Sequence, residues 1–535
     1  MRRLKMRECG MLLPIASLPS RYGIGAFSKE AYEFVDTLKA AGQSCWQILP
    51  LGPTGYGDSP YQPFSAFAGN PYFIDLDRLV EEGLLTLEEC EAVDFGEDPR
   101  KVWYDKIYEG RFPLLRKAYE RFKGTLAGGE NAGTDAAAEE RGAAGNATAV
   151  EMVHEMAARL LGEETREYCF YMAVKNHFGE QSWNLWDEDI RMRRPEAVAK
   201  WRQALTDDIG FYEFQQIKFE EQWERLKGYA NSQGIRLVGD IPIYVAFDGA
   251  DSWAHPELFQ FDEKNEPVAV AGCPPDAFAA TGQLWGNPLY NWEYHRETGY
   301  DWWMKRMVYS FKLYDQVRVD HFRGFDAYYS IPYGDPTAEF GHWEPGPGIE
   351  IFRRMQEVFG KKLPIIAEDL GFLTPSVRKL LTDTGFPGMK VLEFAFNSKE
   401  ESDYLPYNYN SNCVVYTGTH DNDTLVGWYK HMEIEDKEFS MAYLGSEDTP
   451  LAKIHWDFIR LALSSVARLA VIPVQDYLGL GSEARVNEPS TLGKNWRWRM
   501  LHDELDGHTI RKCRRLAKIY GRLREEAEKE NADQE

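Results

Sequence analysis

The sequence predicts a (β/α)8 barrel, an α/β fold of the TIM type. Three observations predict it. Eight short apolar runs are spread along the 535 residues. They are rich in Val, Ile and Leu rather than alternating apolar with polar, the pattern of parallel strands buried on both faces. Segments of helical periodicity lie between most of them, and charged residues gather at the ends of several runs, where this fold places its chemistry.

In chain order the runs are "GMLLPIA" (10–16), "CWQILPLGP" (45–53), "IRLVGDIPIYV" (235–245) and "QVRVDHFRG" (316–324), then "LPIIAEDLG" (363–371), "MKVLEFAF" (389–396), "NCVVYTGTHDND" (412–423) and "RLAVIPVQDYLGLG" (468–481). Among the helical segments, "FSKEAYEFVDTLKAAG" (27–42) opens behind Ser28 as a candidate cap and stops at Gly42; "TPSVRKLLTDTG" (374–385) and "AKIHWDFIRLALSS" (452–465) follow later runs. A doubly wound open sheet is the alternative. The strand count disfavours it, and no GxGxxG opens a helix after a strand.

The whole chain, 1–535, is expected to form one barrel domain with two inserts. Residues 54–234 separate the second and third runs, too many for a crossover helix. Much of this stretch reads as helix, such as 212–234, while its Gly/Ala/Glu-rich part, 124–149, reads as a mobile loop or linker. Residues 247–300 form the second insert, between the third and fourth strands. The tail from 509 onward reads as a solvated closing helix, basic early and acidic late. Too few residues follow the eighth run for a C-terminal β-sandwich, so none is expected.

A net charge of −24 argues against a nucleic-acid partner, and 44% hydrophobic residues supply a large core. Most of the 16 Trp and 29 Tyr are expected in the core, but aromatic faces also serve as platforms for sugars. Seven scattered Cys without a CxxC pair indicate a reducing, cytoplasmic setting with neither a disulfide framework nor structural zinc. No apolar run reaches the ~18 residues of a membrane span. The N-terminal apolar stretch is short and broken by Pro14 and Pro19, unlike a signal peptide.

The carboxylates fall at strand ends: Asp240 on the third run, Asp320 on the fourth, Glu368 and Asp369 on the fifth, and Asp421 beside His420 on the seventh. One such aspartate can simply cap the next helix. Several at one barrel mouth repel each other unless Arg318 and Arg323 offset them. A hard-cation site is the competing use, but no HExxH or DxDxD spacing occurs. Two carboxylates and an arginine suit glycoside cleavage: one attacks the anomeric carbon, and the other delivers and then removes a proton. Arg318 stands two residues from Asp320 on a strand, so both side chains face the same way. This favours Asp320 as the ionised nucleophile and Glu368 as the acid.

"RVDHFRG", "AEDLG" and "GTHDN", in this order, resemble the catalytic motifs of the α-amylase clan. "PLGPTGYGDSPYQPFSAFAGNPYFIDL" (50–76), "GDIPIYVAFD" (239–248), "GQLWGNPLYNW" (282–292) and "VQDYLGLGSEARVNEPSTLGKNWRWR" (474–499) narrow the resemblance to glycoside hydrolase family 77. These are the 4-α-glucanotransferases called amylomaltases or disproportionating enzymes. The resemblance covers nearly the whole chain. It implies cleavage of an α-1,4 link with retention, followed by release of the glycosyl-enzyme to the 4-hydroxyl of another glucan. Malto-oligosaccharides and α-1,4-glucans would be donor and acceptor, with no metal or organic cofactor.

By the same resemblance Asp320 would be the nucleophile, Glu368 the acid/base, and Asp421 the residue gripping hydroxyls of the reacting sugar. Arg318, His321 and His420 would orient these groups, and Asp240 would support them. Tyr56, Ser59 and Tyr61 would lie beside donor glucose units. Trp285, Asn287 and Pro288 would line the cleft, with Asn487 near the sugar. Three departures stand out: Ala277 where a tyrosine is usual, Ser490 where glycine is common, and the 124–149 insert. "DIPIYVAFD" also lacks a histidine usual in the wider clan, which favours transfer over hydrolysis. The rivals are a hydrolase of the same clan, a silent glucan-binding protein and a metal-dependent barrel enzyme. Products from maltotriose, binding without turnover, and loss of activity in chelator would mark them respectively.

Overall fold

The computed structural model describes residues 7–524 except 56, 128–141, 276–279, 372 and 447. Eight parallel strands form the central sheet: Glu8–Leu12, Cys45–Gln47, Arg236–Ile241, Gln316–Val319, Ile365–Ala367, Gly388–Val391, Cys413–Tyr416 and Leu469–Pro473. They pair in chain order from the sixth through the eighth and on from the first to the fifth. All pairings are parallel, with Asp240 opposite Arg318 and Arg318 opposite Ile366.

Between the fifth and sixth strands the barrel is joined differently. Ala367 N–H donates to Pro387 O at 3.0 Å, and Met389 N–H donates to the side chain of Asp369 at 2.6 Å. A carboxylate thus substitutes for a ladder carbonyl. Gly388 permits this, because a Cβ there would lie 2.4 Å from Asp369 Oδ2. Asp369 therefore serves the barrel seam, although it stands beside Glu368 in sequence.

The strands are buried on both faces, as their composition requires. Leu12, Val238, Ile366, Val391, Val414 and Val471 pack inside the barrel, while alternate residues such as Val415 and Ala470 join the larger core under the helices. The helix Lys29–Ala40 ends just before Gly42, whose φ of +72° is left-handed. Ser28 holds the capping position without capping: its hydroxyl bonds Ser20 and Glu30 instead of a helix N–H. Thr374 does cap Pro375–Thr384, accepting from Val377 N–H at 3.4 Å.

The long stretch between the second and third strands is mostly helical, with Tyr104–Leu126, Gly142–Leu160, Glu163–His177 and Thr206–Ser232 as its longer helices. The last of these docks on the barrel through Phe219 and Trp223, each 5.2 Å from Phe27 between ring centres. The expectation of a loop over 124–149 needs correction at both ends. Residues up to Leu126 and from Gly142 onward are helical, and 128–141 lie outside the described residues. The closing helix runs Gly507–Ile519; the acidic end from 525 lies outside the described residues.

A second sheet was not expected. Ala269–Cys273, Gln283–Pro288, Ala327–Pro332 and His342–Pro345 pair antiparallel into four strands. Two come from before the fourth barrel strand and two from after it, so this sheet flanks the end of that strand from both sides in sequence.

Candidate active site

Asp320 follows directly on the fourth strand, and its N–H extends the ladder to Ile241 O at 2.9 Å. The chain then turns sharply, because His321 takes a left-handed φ of +51°. A bulky residue in that region marks local strain of the kind found at functional sites. The turn aims His321 N–H at Glu368 Oε2, 2.8 Å away on the fifth strand. Glu368 Oε1 accepts from Leu370 N–H, also at 2.8 Å. Burial and then the charge of Asp320 raise the Glu368 carboxyl to about 7, against the opposing pull of Arg318 and these two N–H donors. It is thus set to hold a proton near neutral pH.

Arg318 lies under this pair, 3% exposed. One guanidinium nitrogen donates to both oxygens of Asp240 at 2.8 and 2.7 Å, and the other reaches Asp320 Oδ1 at 2.9 Å. Only the planar fork of arginine can serve two carboxylates in this way. Asp240 is fully buried, and its Oδ2 also accepts from Tyr61 O–H at 2.8 Å. The Tyr61 ring stacks on His420, 5.0 Å between centres and 16° from parallel.

On the seventh strand's end, Asp421 faces the cleft with its side chain 43% exposed and 3.3 Å from His420 Nε2. Burial would raise its carboxyl, but His420 and the amide of Asn487 outweigh this and hold it well below the usual carboxylate range. Asn487 Nδ2 donates to Asp421 Oδ1 at 2.6 Å, and Asn487 N–H to His420 O at 3.1 Å. His321, by contrast, is pushed down to about 4 by burial, and is neutral near pH 7.

A cleft of about 630 Å³ brings together Ser59, Tyr61, Trp285, Asn287, Asp320, His321, His420, Asp421, Asn487 and Ser490. Trp285 meets His321 edge-on at 4.9 Å. Asn287 donates to Val245 O at 2.8 Å, which fixes the strand it sits on. Ser59 shapes the turn, accepting from Tyr61 N–H at 3.3 Å. Ser490 has φ of +64°, a conformation that suits glycine. The Arg323 guanidinium lies 3.8 Å over the ring of Trp343, and its charge adds to burial in holding His321 down. Tyr56 and Ala277 lie outside the described residues.

Sequence reasoning missed Gln62 and Arg485. Gln62 donates to Asn287 Oδ1 at 3.2 Å and Trp285 O at 3.3 Å. Arg485 donates to the carbonyls of Asp421 and Asn487, each at 2.7 Å. Both lie inside motifs already quoted, but only their partners in the fold reveal their use. Among the described residues, no group of three or more His, Cys, Asp or Glu could hold a metal ion. No helix among them is long and apolar enough to cross a membrane.

A parallel barrel whose mouth carries an arginine-paired aspartate, a glutamate raised to about 7 and a third, strongly acidic aspartate defines the class: a carboxylate-dependent barrel enzyme. The comparisons specify it. The family model for 4-alpha-glucanotransferase matches residues 13–504, and the chain belongs to that family. A 4-alpha-glucanotransferase of Clostridium butyricum is 45% identical over 95% of this chain and 99% of its own length. One from Solanum tuberosum is 39% identical, covering 97% of this chain and 87% of its own. The solved amylomaltase from Streptococcus agalactiae in complex with acarbose superposes with a TM-score of 0.89 at 40% identity, covering 97% of this chain and all of its own. The chain is thus a glucan-transferring enzyme, and transfer rather than hydrolysis is its reaction.

Proposed function

We propose that the transfer proceeds by double displacement, with Asp320 as nucleophile, Glu368 as general acid/base and Asp421 holding the reacting sugar. The Asp320 carboxylate attacks the anomeric carbon of the donor. The glycosidic C–O bond breaks, and the proton of Glu368 goes to the departing oxygen. Glu368, now a carboxylate, takes the proton of an acceptor 4-hydroxyl, whose oxygen displaces Asp320 from the anomeric carbon. One α-1,4 bond is broken and one formed, and no water is consumed.

The observation that carries this reading is the asymmetry of the two carboxyls. Arg318 lies 2.9 Å from Asp320 and pairs with it, while burial and Asp320 keep Glu368 protonated up to about 7. Asp421, held acidic by His420 and Asn487, suits a sugar carrying developing positive charge. Malto-oligosaccharides would serve as donor and acceptor, with Trp285 and Tyr61 offering ring faces in the cleft. The seven cysteines, none in a disulfide, support a cytoplasmic setting.

Purified protein with maltotriose alone tests the substrate assignment. Glucose together with maltopentaose and longer oligomers is expected. Glucose and maltose without longer products would contradict it. Asp320→Asn should abolish both patterns while leaving the fold intact, and a variant that still turns over would remove Asp320 from its role.

A further inference from the structure

His420 and Asp421 ride on the segment between the seventh strand and the helix Leu425–His431. Two buried carboxyls outside the cleft lie against this segment. Asp476, 1% exposed and just past the eighth strand, accepts from Thr417 Oγ1 at 2.6 Å with one oxygen and from Leu425 N–H at 2.8 Å with the other. It ties the two ends of the segment together.

Glu393, just past the sixth strand and 9% exposed, lies against the middle. Its N–H donates to Thr417 O at 3.2 Å. A Cβ on Gly418 would meet Glu393 Oε1 at 2.7 Å and Asn422 Cβ at 3.1 Å, so the glycine leaves a slot that the glutamate fills. Asn422 in turn accepts from the N–H and the hydroxyl of Thr419, at 2.9 and 2.8 Å.

This placement is costly. Glu393 Oε1 is buried with no hydrogen-bond partner. Burial, then Asp476 and Asp423, push the carboxyl far up, and Arg485 and Asn422 offset only part of this. A buried acid set beside two others weakens the fold, yet a glycine slot is built around it. A local rule broken in this way is expected at functional or strained sites.

We propose that Glu393 is a positioning residue for Asp421: wedged against Gly418 and Asn422, its side chain sets where the Thr417–Thr424 segment presents Asp421 to the sugar. The inference rests on Asp421 gripping that sugar. Arg485 and Asn487 hold the segment from the side of the eighth strand, and Glu393 supplies the opposing stop. The wedge works by length and shape rather than by charge.

Two variants separate these. Glu393→Gln keeps the length and removes the acid; kcat for transfer from maltotriose is expected within about threefold of wild type, with an unchanged or raised Tm. Glu393→Asp keeps the acid and withdraws it by one methylene; kcat is expected to fall about 10- to 100-fold with KM little changed, as for a misplaced transition-state contact. In an Asp421→Asn background, followed with an activated maltosyl fluoride donor, Glu393→Asp should cost nothing further. Wild-type turnover in Asp421→Asn would remove the reading on which the wedge rests. With that reading intact, the wedge is overturned by a Glu393→Gln loss equal to that of Glu393→Asp, by unchanged kcat in Glu393→Asp, or by fully multiplicative losses in the double variant.

Discussion

The backbone N–H of His321 donates to the Glu368 carboxyl at 2.8 Å, so the residue after Asp320 holds the Glu368 side chain on the neighbouring strand. The bond exists only because His321 accepts a left-handed φ of +51°. That turn thereby sets the spacing of Asp320 and Glu368, and the charge of Asp320 adds to burial in raising the Glu368 carboxyl.

A pH dependence follows from the raised Glu368 carboxyl. In the proposed mechanism Glu368 must be protonated to assist a sugar leaving group, and its carboxyl sits at about 7. The glycosylation step from maltotriose should therefore fall as pH rises through that value, approaching tenfold per unit. Maltosyl fluoride, whose leaving group needs no proton, should show a much flatter profile in rapid-quench measurements. Equal alkaline limbs for both donors would contradict the assignment.

Arg318→Met should weaken the fold in a pH-dependent way. The change leaves Asp240 fully buried without its guanidinium. Its folded pKa then rises, while the unfolded carboxyl stays near the ordinary ~3.9. The folded state binds more protons than the unfolded above that value, so stability falls as pH rises. Urea denaturation should show a loss of about 3–5 kcal/mol at pH 8 and much less near pH 4. A loss independent of pH would contradict the pairing.

Tyr61 has two separable contacts, a hydrogen bond to Asp240 and a stack on His420. Tyr61→Phe should cost about 1.5–3 kcal/mol of stability, the range for a hydrogen bond to a charged group. Tyr61→Ala removes both contacts and should lower turnover much further. Matching turnover in the two variants would show that the ring contributes nothing.

Much of this site was legible because barrel chemistry lies at strand ends, where Asp320, Glu368 and Asp421 interrupt apolar runs. Arg318 was legible from the two-residue period of a strand. Asp369 beside Glu368 had no distinct reading in the sequence, and its bond to Met389 N–H across the seam between the fifth and sixth strands is visible only in the fold. Two strands of the flanking sheet carry no clear apolar pattern: Gln283–Pro288 mixes exposed and buried residues, and His342–Pro345 is largely exposed. The sheet's pairing also spans the fourth barrel strand, which no local pattern reveals. Glu393 reads as one polar residue in "VLEFAF", and nothing in that run signals the slot at Gly418.

Ser490 carries a small prediction of its own. Its φ of +64° is strained for a serine and free for a glycine. Ser490→Gly should raise stability by up to about 1 kcal/mol, less the entropy glycine gains on unfolding. A clear fall in Tm would mean that the serine side chain makes up for its backbone.

The most direct test is to trap the glycosyl-enzyme. Glu368→Gln cannot activate an acceptor, yet it can still react with maltotriosyl fluoride, which needs no acid. After a rapid quench, the intact protein should carry one maltotriosyl unit, and peptide mapping should find it as an ester on Asp320. Fluoride release without an adduct, or an adduct on another residue, would contradict the account.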